Sequence, residues 1–123
     1  MGRAALITAA ALAVAGDVGA QAFDRSVVGG DPEAGRAVIS RYGCGICHII
    51  PGVRGARGTV GPSLAGFGDR NVIAGTVPNS PAGLRHWLDD PPAIAPDTMM
   101  PPMGLDADEI ANAAAYLMSL RAE

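Results

Sequence analysis

The chain has no lysine. All nine of its basic residues are arginine, set against twelve acidic ones, for a formal net charge of −3. A protein that works on nucleic acid gathers cations into a basic patch or stripe, and no such patch stands in this sequence. Aromatic residues are only 4% of the chain and cysteines number two. A single compact domain with so few large side chains is short of core volume, and one large buried cofactor would supply it. The longest apolar run, Ala4 to Ala15, falls well short of the roughly 20 residues that a membrane span needs, and Asp17 interrupts any extension. There is no strand-like alternation, no internal repeat and no second domain.

What is present begins with a leader. Arg3 precedes the short apolar run, and Gly19-Ala20-Gln21-Ala22 closes it with small residues in an Ala-x-Ala pattern. That order describes a secretory signal peptide over residues 1–22, cleaved after Ala22, with the working domain over 23–123. Export to an oxidising, periplasmic compartment limits what two cysteines can be. Here they stand three positions apart, and a disulfide across so few residues would staple little.

The rest reads as helices separated by long ordered loops. Asp31 is an N-cap, with Pro32 at the first helical position and Glu33 in the first turn. Gly35, Val38, Ile39 and Tyr42 follow at helical spacing on one face, and Gly43 ends the helix. Residues 49–81 are rich in Gly and Pro and predict loops, with one helical turn near Ser63–Gly66. Ser80 and Pro81 open a short helix to Leu88, which Pro91 and Pro92 stop. Five prolines between Asp90 and Gly104 predict a stiff, extended loop. Asp106 and Glu109 form a capping-box pair at the start of the last helix, whose buried stripe is Ile110, Ala113, Ala114, Leu117 and Leu120. The fold class is all-α.

Directly after the first helix stands Cys44-Gly45-Ile46-Cys47-His48. Three chemistries use such a group. A thioredoxin-like dithiol needs a βαβ context, which is missing. A zinc site needs four ligands as a rule, and beyond this motif only His86 and carboxylates remain. Covalent haem attachment needs what is there: two thiols to add across two vinyl groups and an adjacent histidine to reach the iron. The second face of such an iron takes a histidine or a methionine in an electron carrier. Met99, Met100 and Met103 lie in the proline-braced loop and are the candidates. Met is usually adaptable core filler, and that is the reading for Met118 in the last helix. His86 reads as a surface or hydrogen-bonded residue, and the acidic pairs as solvated turns and helix ends.

Taken together, these motifs resemble the class I c-type cytochromes over residues 31–121. The resemblance rests on Asp31-Pro32-Glu33-Ala34-Gly35 through Tyr42, then CGICH, Gly61-Pro62-Ser63-Leu64, Arg70, Leu84 to Leu88, the Pro96, Thr98, Met100-Pro101 series, and Ala115-Tyr116-Leu117. It implies a small cytochrome c fold with crossing N- and C-terminal helices around one covalent haem c. By position it implies that Cys44 and Cys47 hold the haem, that His48 is the proximal ligand and Met100 the distal one, and that the Pro62 carbonyl bonds the other ring nitrogen of His48. It further implies that Arg70 and Thr98 bond the haem propionates and that Trp87 lines the pocket. Mitochondrial members dock acidic partners through a ring of lysines. This chain departs from them, with Arg54, Arg57 and Arg85 as the nearest substitutes. Residues 73–87 look like a bacterial subgroup found free or fused to oxidase subunits.

The expected function is a non-enzymatic, single-electron carrier in an exported respiratory chain. It would bind no small-molecule substrate and would exchange electrons with a donor and a terminal oxidase or reductase. Any membrane contact would come through those partners. The alternatives are the haem c subunit of a larger exported dehydrogenase or oxidase, and a haem sensor or peroxidase-like enzyme whose Met loop releases the iron.

Overall fold

The computed structural model describes residues 2, 4–11 and 29–123. The cleavage point expected after Ala22 lies outside the described residues. Residues 4–11 carry no helix or strand, and no helix among the described residues is long and apolar enough to cross a membrane.

Three helices form where capping residues announce them. Helix α1, Pro32–Arg41, starts as Asp31 accepts a hydrogen bond from the Glu33 N–H at 3.0 Å. Helix α2, Pro81–Asp89, starts as the Ser80 hydroxyl accepts from the Gly83 N–H at 3.0 Å. Helix α4, Ala107–Ser119, has a full capping box: the Glu109 N–H donates to Asp106 at 2.8 Å, and the Asp106 N–H donates to the Glu109 carboxylate at 3.1 Å. These contacts satisfy backbone donors that each first turn would leave orphaned.

The two terminal helices cross at close range. Gly35 is buried in α1, and a Cβ there would overlap the backbone carbonyl of Asn112 in α4. Glycine therefore earns its place despite a helix cost of about 1 kcal/mol. Beside the crossing, Arg41 pairs with Glu109 at 2.8 Å, and the Asn112 side chain accepts from the Asp31 N–H at 2.9 Å. Helix α4 also packs against α2 and against a 3-10 turn at Phe67–Asp69, so every residue from Ala113 to Met118 is buried. The core runs from Val38 and Ile39 of α1 through these residues to Leu84, Trp87 and Leu88 of α2.

Three local expectations need correction. The turn foreseen near Ser63–Gly66 falls instead at Phe67–Asp69, where buried Phe67 anchors it. Pro91 and Pro92 do stop α2, but they also open a one-turn helix, α3, Pro91–Ile94. Proline suits the first helical positions, where its missing N–H loses no bond. Buried Pro91 holds that turn against the core. Finally, a two-stranded antiparallel ribbon joins β1, Val72–Ile73, to β2, Val77–Pro78. Its strands are too short to write a period-2 signal. Ile73 and Val77 pair across the ribbon, both buried.

Candidate functional site

Cys44 follows α1 after a single turn at Gly43 and begins a 3-10 turn, Cys44–Ile46. The Cys47 and His48 N–H groups both donate to the Cys44 carbonyl, at 3.2 and 3.0 Å. This curl brings both thiols and the imidazole to one wall of a cavity of about 640 Å³, within the range of about 300–1,000 Å³ typical of cofactor and small-molecule sites. An adjoining recess of about 70 Å³ shares Cys44, His48, Trp87 and Met100 and reaches into the core at Ile39 and Leu117.

The imidazole is fixed at two places. Its Nδ1 lies 2.7 Å from the Pro62 carbonyl oxygen. A carbonyl only accepts, so in the neutral imidazole the proton sits on Nδ1 and the Nε2 lone pair is left for a ligand. Gly61 packs beneath the ring, where a Cβ would overlap it. The thiols are free and half-buried. Burial pushes the Cys44 thiol above its usual range, and repulsion from Cys47 adds to the shift.

The other expected residues are brought to the same cavity. Met100 and Met103 are both half-buried in its walls, while Met99 sits at its mouth, mostly exposed. The Thr98 hydroxyl accepts from the Met100 N–H at 3.2 Å, and the Thr98 N–H donates to Ala95 at 2.9 Å. Trp87 lies buried along the wall given by α2. Arg70 lines the cavity with its guanidinium over the Phe67 ring at 5.5 Å, donating to the carbonyls of Ser63 and Ala65. His86, by contrast, is exposed and takes no part. Phe67 and Ile73 line both spaces and were missed in the sequence, although Leu64 and Phe67 at a three-residue spacing were a readable signal. No cluster of three His, Cys, Asp or Glu side chains suited to a metal occurs among the described residues.

A family model described as cytochrome c matches residues 32–121. The chain belongs to the cytochrome c family. Two curated relatives are each named cytochrome c oxidase subunit 2. The one from Alkalihalophilus pseudofirmus is 33% identical over 88 residues, covering 71% of this chain and 25% of that protein. The one from Bacillus sp. (strain PS3) is 35% identical over 99 residues, covering 76% of this chain and 28% of that protein. The chain thus spans about a quarter of the length of these relatives.

Membership in the cytochrome c family implies haem c, and the residues present fit it. Two neighbouring thiols, an imidazole with a free Nε2 and a methionine thioether share one cavity whose walls are otherwise mostly apolar. Four exposed apolar side chains, Ile46, Val60, Val72 and Met99, line that cavity, while exposed Leu6, Ile7 and Ile49 do not. Among the described residues, the single Asp, Glu, Lys or Arg side chain lining it is Arg70, itself half-buried.

Proposed function

We propose that this cytochrome is a one-electron carrier that would hold a single haem c through thioether bonds at Cys44 and Cys47, with His48 and Met100 supplying the two protein ligands to its iron. The observation that carries the reading is the His48 imidazole, pinned through Nδ1 on Pro62 with Nε2 free, in the same cavity wall system as Met100. When bound, the haem supplies reversible one-electron chemistry at its iron, at a potential that a His/Met pair raises.

The chain's own residues do the rest. Pro62 fixes the tautomer and aim of His48. Thr98 and the prolines around it hold the Met100 backbone, so little has to move when charge changes. Apolar walls from Leu64, Phe67, Ile73 and Trp87 exclude water. Arg70 and Thr98 would bond the haem propionates. Electrons pass at the apolar mouth, where docking relies on contact between uncharged surfaces more than on a lysine ring. The carrier breaks no bond in a substrate and works in the periplasm after removal of residues 1–22.

The test is an absorption spectrum of the haem-loaded protein, oxidised and then reduced. We expect c-type reduced bands and the weak far-red band of methionine sulfur on ferric iron. Met100→Ala abolishes that band, whereas Met99→Ala and Met103→Ala keep it. A parent protein with haem but no such band would move the sensor or enzyme reading ahead. A second reading draws on the relatives' name: this domain would be the electron-delivering part of an oxidase complex. Copurification with oxidase chains from native membranes supports that reading, and recovery as a free protein supports the shuttle.

A further inference from the structure

The ribbon, α2 and the Phe67–Asp69 turn meet at Asn79, a side chain inside the 73–87 segment to which no motif gives a role. It follows directly on β2 and stands one residue before Ser80, the cap of α2. Its backbone N–H donates to the Asn71 carbonyl at 3.0 Å and so closes the ribbon. Its Nδ2 donates to two carbonyls at once, those of Phe67 and Arg70, both at 2.9 Å. Both partners are acceptors only, so the amide can face them only with its nitrogen. Its Oδ1 is left buried with no hydrogen-bond partner among the described residues. Buried acceptors are normally paired. An amide held in an orientation that orphans its own oxygen is oriented by the two carbonyls it serves.

Those carbonyls belong to the turn that presents Arg70 to the cavity. Arg70 is held at both ends. Asn79 grips its backbone, while its guanidinium donates to Ser63 and Ala65 and lies over Phe67. We infer that Asn79 is a positioning residue for electron transfer: by clamping the Phe67–Arg70 turn it keeps the Arg70 cation at the cavity wall, and through Arg70 it sets the reduction potential of the haem. The inference rests on the carrier reading above. A nearby cation favours the electron-gained state, with a strength that falls with distance. Loosening the clamp lets the cation retreat and lowers the potential.

The experiment measures reduction potentials and thermal midpoints of haem-loaded Arg70→Gln, Asn79→Ala, Asn79→Ser and the Arg70→Gln/Asn79→Ala double variant. Arg70→Gln lowers the potential, and Asn79→Ala lowers it by part of that shift. Asn79→Ser keeps one donor and falls between Asn79→Ala and the parent. The double variant has the potential of Arg70→Gln alone, because Asn79 has no cation left to place. Thermal midpoints fall for any structural contact and decide nothing by themselves. An Asn79→Ala potential equal to the parent's overturns the inference, as do shifts that add in the double variant or an Arg70→Gln that leaves the potential unmoved. Should Asn79→Ala fail to mature, Asn79→Ser carries the same comparison. A parent protein that takes up no haem overturns the carrier reading, and this inference with it.

Discussion

Replacing Gly35 by alanine sets two physical effects against each other. In an isolated helix the change favours α1 by about 1 kcal/mol, the difference in helix propensity. In the folded domain the new methyl group would meet the Asn112 carbonyl of α4. Overpacking a well-filled interior costs about 1–3 kcal/mol. The obstacle here is backbone, which has no alternative rotamer to adopt, so the upper end applies. The net loss is about 2 kcal/mol, which for a domain of this size lowers the thermal midpoint by roughly 8–16 °C. Circular dichroism of the haem-loaded protein on heating reads it directly. Ala37→Gly, at an exposed position of the same helix, is the control and loses about 1 kcal/mol. A Gly35→Ala protein as stable as the parent, or more so, would refute the close crossing of α1 and α4.

Two further outcomes follow from the surface. The Glu109 carboxyl is held below its usual range, first by the Tyr42 hydroxyl that donates to it, then by the Asp106 N–H and Arg41. A carboxyl lowered in the folded state stabilises fully above its unfolded value of about 4.3, and that contribution fades as pH falls through the lower folded value. Tyr42→Phe is therefore less stable than the parent at neutral pH, and urea unfolding at a series of acid pH values shows the two converging; a constant gap would refute the pairing. At the cavity mouth, Val72→Glu slows electron self-exchange between oxidised and reduced copies, read by NMR line exchange, and raising the salt restores part of the rate. An unchanged rate would mean that electrons leave elsewhere.

The sequence made some features legible because local chemistry alone decides them. Asp31 with Pro32, Ser80 with Pro81, and Asp106 with Glu109 each satisfy a helix start within a few residues, and all three helices begin there. The CGICH group likewise needs only its own short turn to gather thiols and imidazole. What stayed hidden depends on distant partners. The ribbon at Val72–Pro78 is too short to show a period, and Phe67 forms a turn because α4 lies against it. Asn79 lies within the 73–87 segment but carries no local signal of its own, since its importance comes from two carbonyls nine and twelve residues away. The resemblance gives Arg70 a propionate to bond, and no motif shows that its contacts with Ser63 and Ala65 hold it as part of a turn.

The first residues of the described domain fasten to α4, and the residues that follow α4 fasten to the Phe67–Asp69 turn. Gly30 abuts the Ala111 carbonyl, and the Asp31 N–H is bonded to Asn112. At the other end, the Leu120 carbonyl accepts from the Gly68 N–H at 2.7 Å. Arg121 donates to Gly68 at 3.0 Å and pairs with Asp69, which also accepts from the Ala122 N–H at 2.7 Å. Ala111 stands eight residues before the end of α4, roughly 12 Å at the helical rise. In mechanical terms, tension applied at either end runs as shear along the α1–α4 crossing, the most tightly interlocked part of the fold. These fastenings involve no residue from Thr98 to Met103, so tension at the ends reaches the methionine side of the cavity only through the packed core.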